Sequence, residues 1–510
     1  MTHIQFLNIN QNSFIMKKTL VIALAALMLL AGCKKESSEK KILSFSFVTP
    51  EVEATINESA KTIVATMPAG TNVTALVPVI TVSEKATVYP GSRVPQDFSQ
   101  PIEYIVCAED GSQAHYTATV TVEGGGGQTT DPTEISGYID ANTTLPDLGL
   151  PVDYIIDGSF YVEGNALLTI EPGVTIMFTG SDGRIIVEEN AGLKMEGTAD
   201  KHIRLVNATN NQNHGAWGYV EVKSSRSDNK FAYVDFINGG SNDNEVVYVD
   251  GDAKLSMKNC LIDGSLGNGI KVDGTLTAFE NNTITNCEKY PIELRTGVHV
   301  NQLGTGNDFT DNAYDMILMN FYWLDHETVK TFTFANHGIP YFMADGMRVD
   351  ENSIMIVEAG CEFVFPYDKE LAVDDGCLIQ VNGTASMPVG FRSETGEAGT
   401  WKGLRIHTTR ATNGGSNLTS CIIEGAGVEE DGALWLEPET RLTISDLTIN
   451  NSAAYGINLC IPMEWDETTW EYEYDFANYH VTATGLTLSN CALGNIYERN
   501  KGVVMNEWPN

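Results

Sequence analysis

Asp-Gly pairs recur along this 510-residue chain, at Asp157-Gly158, Asp250-Gly251, Asp273-Gly274, Asp345-Gly346 and Asp431-Gly432. Two carboxylates held about 5–9 Å apart can act as acid and base on a glycosidic bond. Six to eight clustered oxygens can hold calcium. Asp-Gly is also the ordinary dipeptide of tight turns, and a turn is the expected use here. The doublet Asp374-Asp375 is a further carboxylate pair. Arg295 and Arg405 could take a proton next to a carboxylate, but no charged cluster frames either of them. Cysteines 107, 260, 287, 361, 377, 421, 460 and 491 form no CxxC pair, so neither a thiolate zinc site nor a redox motif is indicated. Free, packed thiols are expected, with disulfides as the alternative in an oxidising compartment. No metal and no cofactor is expected.

The strongest candidate for recognition is the stretch IPMEWDETTWEYEYDFANYH, residues 461–480. It sets Trp465, Trp470, Tyr472, Tyr474, Phe476 and Tyr479 among acids. Aromatic faces stack on the apolar faces of sugar rings, carboxylates accept hydrogen bonds from hydroxyls, and exposed aromatics also serve as protein hot spots. Trp465, Trp470, Tyr472 and Tyr474 are the candidate ligand-binding residues. The run WEYEYDF alternates strictly, so the competing expectation is a hairpin whose aromatic side packs back on the rest of the fold. A second aromatic run, FYWLDH at 321–326, is expected in the core or at a seam. Trp217 and Trp401, matched between two repeated halves, are expected to be packed.

Charge narrows the partners. Asp and Glu outnumber Lys and Arg by 67 to 31, a net −36. Such a surface repels phosphate backbones and anionic lipid heads, so a nucleic-acid partner is excluded. Uronic-acid polysaccharides would need a local basic patch or a bound cation.

The elements that would position these residues start at the N-terminus. Lys17 and Lys18 precede an apolar run from Leu20 to Leu30, too short to span a bilayer but suited to a signal peptide. Leu30-Ala31-Gly32-Cys33 follows. It resembles the lipobox of bacterial lipoproteins, which implies cleavage after residue 32 and lipidation of Cys33, so the membrane is a partner through that anchor. Met16 is the expected start. Residues 33–41 read as a polar tether, and Lys35-Glu36 partly resembles a signal for display on the outer face of the outer membrane.

Residues 42–123 alternate apolar and polar types, as in ILSFSFV and YTATVTV, and turn at MPAGTN, YPGS and EDGS. With ATMPAGTNVTALVPVITVSEKATVYPGS and DFSQPIEYIVCAEDGSQAHYTATVTV they resemble the Ig-like β-sandwich that follows the lipid anchor in Bacteroidetes-type surface lipoproteins. That resemblance implies a spacer or recognition module. The stretch GGGGQTTDPTE, 124–134, reads as a flexible linker.

Residues 135–510 repeat. IVEENAGLKMEGT at 186–198 matches AVDDGCLIQVNGT at 372–384, and LSMKNCLIDGSLGNGIKV at 255–272 matches LTISDLTINNSAAYGINL at 442–459. The halves are about 135–320 and 321–510. Within them a step of 22 residues leads from NCLIDGSLGNGIKV at Asn259 to NNTITNCEKYPIEL at Asn281. Short strands at this period, with Asn or Gly at corners, resemble right-handed parallel β-helix repeat proteins. That family includes pectate lyases and polygalacturonases, but the chain has no Asn-Thr-Asp, Gly-His-Gly or Arg-Ile-Lys. Arg405-Ile406-His407 is the nearest echo.

The expected fold is therefore all-β: an Ig-like β-sandwich, then an internally duplicated right-handed parallel β-helix. The expected function is a cell-envelope lipoprotein, in the outer membrane and surface-exposed, that binds or adheres, with glycan the leading ligand. The alternatives are a β-helix lyase or glycoside hydrolase, and a structural or protein-interaction surface protein.

Overall fold

The computed structural model describes residues 37–68, 71–122, 131–207, 213–428 and 432–509. The signal peptide, Cys33, the glycines of the linker and Asp431 lie outside them. The chain divides into a unit ending at Gln128 and a unit beginning at Thr129.

In the first unit, period-two alternation produces two sheets. One pairs Glu51–Glu53, Ile42–Val48 and Pro78–Val82, and the other has five strands centred on Thr62–Met67 and Gln113–Val122. Their inward residues form one core, in which Phe45 meets Tyr104 edge-on at 5.2 Å.

The second unit is a parallel β-helix. The 22-residue step sets Ile262 beside Ile284 and Ser265 beside Cys287 in adjacent coils. Asn259 and Asn281, which open the repeated segments, take φ of 53° and 55°. These are the left-handed corners that Asn tolerates better than most residues. Inward aromatics stack coil on coil, with Tyr341 on Phe363 at 5.5 Å and Phe363 on Phe391 at 5.2 Å. The strand Thr133–Ile139 begins inside the stretch that the sequence assigns to the linker and pairs with Tyr154–Val162 as the first coil.

The duplication is visible in packing. Trp217 stacks on Phe178 at 4.5 Å and its indole N–H donates to Ile237 O at 2.7 Å. Trp401 stacks on Phe365 at 4.4 Å and donates to Glu424 O at 2.8 Å. Both indoles are fully buried. The halves are nonetheless not stacked in register. Val220–Val222 lies in a row of strands that continues through Ile292–Leu294 and Ile317–Met319 to Tyr341–Met343 and Glu362–Phe365. Its counterpart Gly403–Ile406 lies in a separate eight-stranded sheet that starts at Trp323–Leu324. The second half is thus turned by one face relative to the first.

Candidate functional site

Between the strands Tyr455–Leu459 and His480–Thr484 the chain leaves the coil as an antiparallel ribbon, Met463–Asp466 paired with Glu471–Tyr474. Trp465 lies opposite Tyr472 and Met463 opposite Tyr474. Side chains alternate across a strand, so these four share one face, while Glu464, Asp466, Glu471 and Glu473 share the other. Trp465 meets Tyr472 at 5.1 Å and Trp470 at 6.3 Å, both edge-on. Trp465 is 47% exposed, Trp470 75% and Tyr472 61%. The expectation that the whole aromatic side packs back therefore fails at the tip, and it holds only for Tyr474 and Tyr479 near the base, which contact the β-helix core.

The tip is shaped by its turn. Asp466 Oδ1 accepts Thr468 N–H at 2.6 Å and Thr469 N–H at 3.4 Å, which holds the carboxyl below the usual range, and the Asp466 carbonyl accepts Trp470 N–H at 2.9 Å. Trp470 sits at φ 60°. A bulky residue rarely adopts that conformation, which costs an L-residue about 1–2 kcal/mol.

The base rests on a residue that sequence reading did not single out. Glu498 is fully buried. It accepts Tyr474 O–H at 2.8 Å and the backbone N–H groups of Ile461 at 3.2 Å, Asn500 at 3.1 Å and Lys501 at 2.8 Å. Burial and the Glu498 carboxylate push the Tyr474 phenol up. Lys501 Nζ lies 4.2 Å from the Tyr474 ring centre and 3.4 Å from Glu473. Nothing local marks Glu498, because its partners come from three separate segments.

The other sequence candidates do not converge. Asp374 grips Arg348 at 2.7 and 2.8 Å, whereas Asp375 accepts Thr409 N–H and O–H at 3.0 and 2.7 Å, so the doublet serves two separate neighbours. Arg295 is held by Asp273 and Glu293, each at 3.3 Å. Arg405 is held by Glu437 at 3.0 Å and lies over Trp435 at 4.9 Å. Both guanidiniums are thus engaged in ion pairs within the fold. Asp157 accepts Thr179 O–H, and Gly158 and Gly346 take φ of 72° and 76°. Among the described residues no group of His, Cys, Asp and Glu is placed to hold a metal. In FYWLDH, Leu324 is buried but Trp323 is 49% exposed beneath Arg348, so the core expectation fails for Trp323.

The eight cysteines are free. Cys287 and Cys491 sit beside Ser265 and Ser452 in the adjacent coil, and each thiol abuts a glycine, Gly269 or Gly456. Burial pushes the thiols of Cys260, Cys287, Cys361 and Cys421 up to about 12, so they are packing residues and not nucleophiles.

One outward row on the first half is strongly polar: Glu221, Tyr248, Lys271 and Glu293 in adjacent coils. Lys271 Nζ lies 4.3 Å from the Tyr248 ring centre. Asn268 and Asn320 donate to Glu293 at 2.8 and 2.7 Å. Burial raises the carboxyls of Glu221 and of Glu245 at its margin.

Comparison with known proteins assigns families along the chain. Residues 42–120 match the family described as SGBP, N-terminal. Residues 139–248 match the pectate-lyase like beta helix domain, and 245–506, more than half the chain, match the right handed beta helix region. No curated protein matches. Among solved structures, a protein of Bacteroides thetaiotaomicron provisionally named a glycoside hydrolase is 30% identical over 18% of this chain and 27% of its own, with a TM-score of 0.15. A provisionally named secreted protein of Bacteroides fragilis is 20% identical over 17% of this chain and 96% of its own, with a TM-score of 0.14.

Proposed function

Because the chain belongs to the right-handed β-helix family, we propose that it uses this scaffold to carry a glycan-binding ribbon in the cell envelope, anchored through lipid on Cys33. The observation that carries the reading is the exposure of Trp465, Trp470 and Tyr472 at the ribbon tip, where three aromatic rings face solvent instead of the core. Exposed aromatic surface fixed on a rigid element is what a sugar-stacking site requires. The glycan-binding character of the SGBP family matched at 42–120 supports the ligand class and an envelope or surface location. In this reading 42–123 is an Ig-like module, a linker follows from 124, and the scaffold begins with the strand at Thr133.

A second reading, a β-helix lyase or glycoside hydrolase, draws on the raised carboxyls of Glu221 and Glu245 beside Lys271 and Glu293. A carboxyl raised by burial is suited to act as a general acid. The row is however internally satisfied, with Glu293 held by Asn268, Arg295 and Asn320. Passing the purified protein over a panel of polysaccharides, and scoring both retention and released reducing ends, separates the readings. Retention without release supports the binding protein, and release supports the enzyme.

A further inference from the structure

Seven of the rings around the ribbon form two linked series. Trp470, Trp465 and Tyr472 make the first. The second runs from Tyr474 to Phe476 at 5.7 Å, to Tyr479 at 6.5 Å and to Trp508 at 6.4 Å. Tyr472 and Tyr474 occupy the same ribbon face two residues apart, which joins the series. Trp508 is not the end of the track. It lines an open cleft of about 390 Å³ at the last coil, together with Leu486, Asn495, Asn506 and Glu507. That volume lies in the range of small-ligand sites, about 300–1,000 Å³. Its walls mix apolar surface with amide and carboxylate groups, the mixture that sugar rings and their hydroxyls call for.

Charge near the track is mainly negative. Glu467, Asp475 and Glu507 lie at the ribbon turn, its base and the last coil, and Glu464, Asp466, Glu471 and Glu473 form the ribbon's opposite face. Of the described cations from 461 onward, Lys501 is held by Glu473 and the Tyr474 ring. Arg499 is held by Glu437, Asn458 and the Trp435 ring. Both cations therefore already carry an acidic partner and an aromatic ring.

We propose that ribbon and cleft form one extended site for an internal stretch of an uncharged glycan chain, with Trp508 at the far subsite. This rests on the ribbon reading above and adds chain length and charge class to it. Tyr474 and Tyr479 pack on the core and link the exposed rings at the tip to Trp508 at the cleft. A single sugar could cover only one end, whereas a chain engages both, and each exposed ring covered adds to affinity without a new entropic cost of association. A polyuronate or sulfated chain would meet a net negative charge around the ribbon and the cleft.

The test is affinity electrophoresis of the full mature protein on neutral polymers (xyloglucan, galactomannan, arabinoxylan, starch) and anionic polymers (polygalacturonate, chondroitin sulfate). Fragments of disaccharide to octasaccharide size, prepared from each retaining polymer, follow by calorimetry. Expected are retention by a neutral polymer, affinity that climbs with fragment length, and a roughly ten-fold loss for the longest fragments in Trp508→Ala with less than about two-fold loss for the shortest. Asn506→Ala, exposed and outside the core, should show the same length dependence if Trp508→Ala alters the final coil. Retention that ignores both variants but is lost in Trp465→Ala overturns the extended site and leaves the ribbon standing. Retention only by anionic polymers, or equal affinity for all fragment lengths, also overturns it. No retention by any polymer sinks the ribbon reading and this one with it.

Discussion

Trp465 and Tyr472 face each other across a two-stranded ribbon, ring centres 5.1 Å apart at 69°, with about half or more of each side chain open to solvent. A two-stranded ribbon is marginal alone in water. It persists because Tyr474, two residues from Tyr472, is tied to the buried Glu498. The exposed pair and the buried anchor divide the work: one offers surface, the other fixes it.

The anchor should therefore be more sensitive than the tip to loss of stability. Glu498→Ala strands the N–H groups of Ile461, Asn500 and Lys501 and the Tyr474 hydroxyl. The buried Ile461 N–H left unsatisfied costs about 1–3 kcal/mol, and the part-buried groups at Tyr474, Asn500 and Lys501 cost less each, so the terminal coil should unfold early. Glu498→Gln keeps the acceptor oxygen and should cost less. Hydrogen exchange of 461–509 reads this, and unchanged protection in Glu498→Ala would contradict the anchoring role.

Trp470 should behave in the opposite way. Its left-handed backbone costs about 1–2 kcal/mol for an L-residue, and Trp470→Gly relieves it. Chemical denaturation should show stability equal to or above the parent, while glycan binding falls. A variant destabilised by more than about 2 kcal/mol would mean that the ring holds the fold, as a core residue does.

The duplication predicts matched costs at matched places. Trp217→Ala and Trp401→Ala each remove a buried indole, its stack on Phe178 or Phe365, and one hydrogen bond. Each should destabilise by about 3–5 kcal/mol. If either is neutral, the two tryptophans are not equivalent.

Much of this was legible in sequence. The 22-residue step became the coil repeat, and Asn259 and Asn281 became left-handed corners, because a corner's backbone demand is local and restricts residue type. Trp217 and Trp401 were matched by their neighbours and are packed alike. The ribbon was visible as alternation, but alternation states only that the aromatics share a face, not whether that face is covered. Covering is decided by distant residues: Glu498, Lys501 and Trp508 at the far end of the chain. Trp323 shows the same limit: its run is expected in the core or at a seam, and its side chain points outward where the eight-stranded sheet begins. The one-face turn between halves was also beyond reach, since it depends on how Ile317–Met319 stacks on Ile292–Leu294 at the junction.

Acid should weaken the β-helix through His299. Burial pushes its pKa down from 6.5 to about 4. Its Nδ1 accepts Thr296 N–H at 3.4 Å, which leaves Nε2 to donate to Gly274 O. The unfolded chain binds a proton at higher pH than the folded one, so the stabilisation is complete above pH 6.5 and is lost as pH falls towards 4. The loss approaches about 3 kcal/mol from 1.36 kcal/mol per pKa unit. Unfolding free energies of the parent and of His299→Gln, taken across that window, should converge as pH falls. Parallel curves would contradict it.

Of these expectations, glycan binding by the ribbon tip matters most. It is tested most directly by the binding of the intact protein and of Trp465→Ala/Trp470→Ala to one retaining polysaccharide, with circular dichroism and melting recorded on both. The ribbon account predicts an unchanged spectrum and melting temperature and a loss of affinity of about 2 kcal/mol or more, roughly thirty-fold, as for a central aromatic hot spot. Equal affinity of the two proteins would contradict it and move the site elsewhere on the chain.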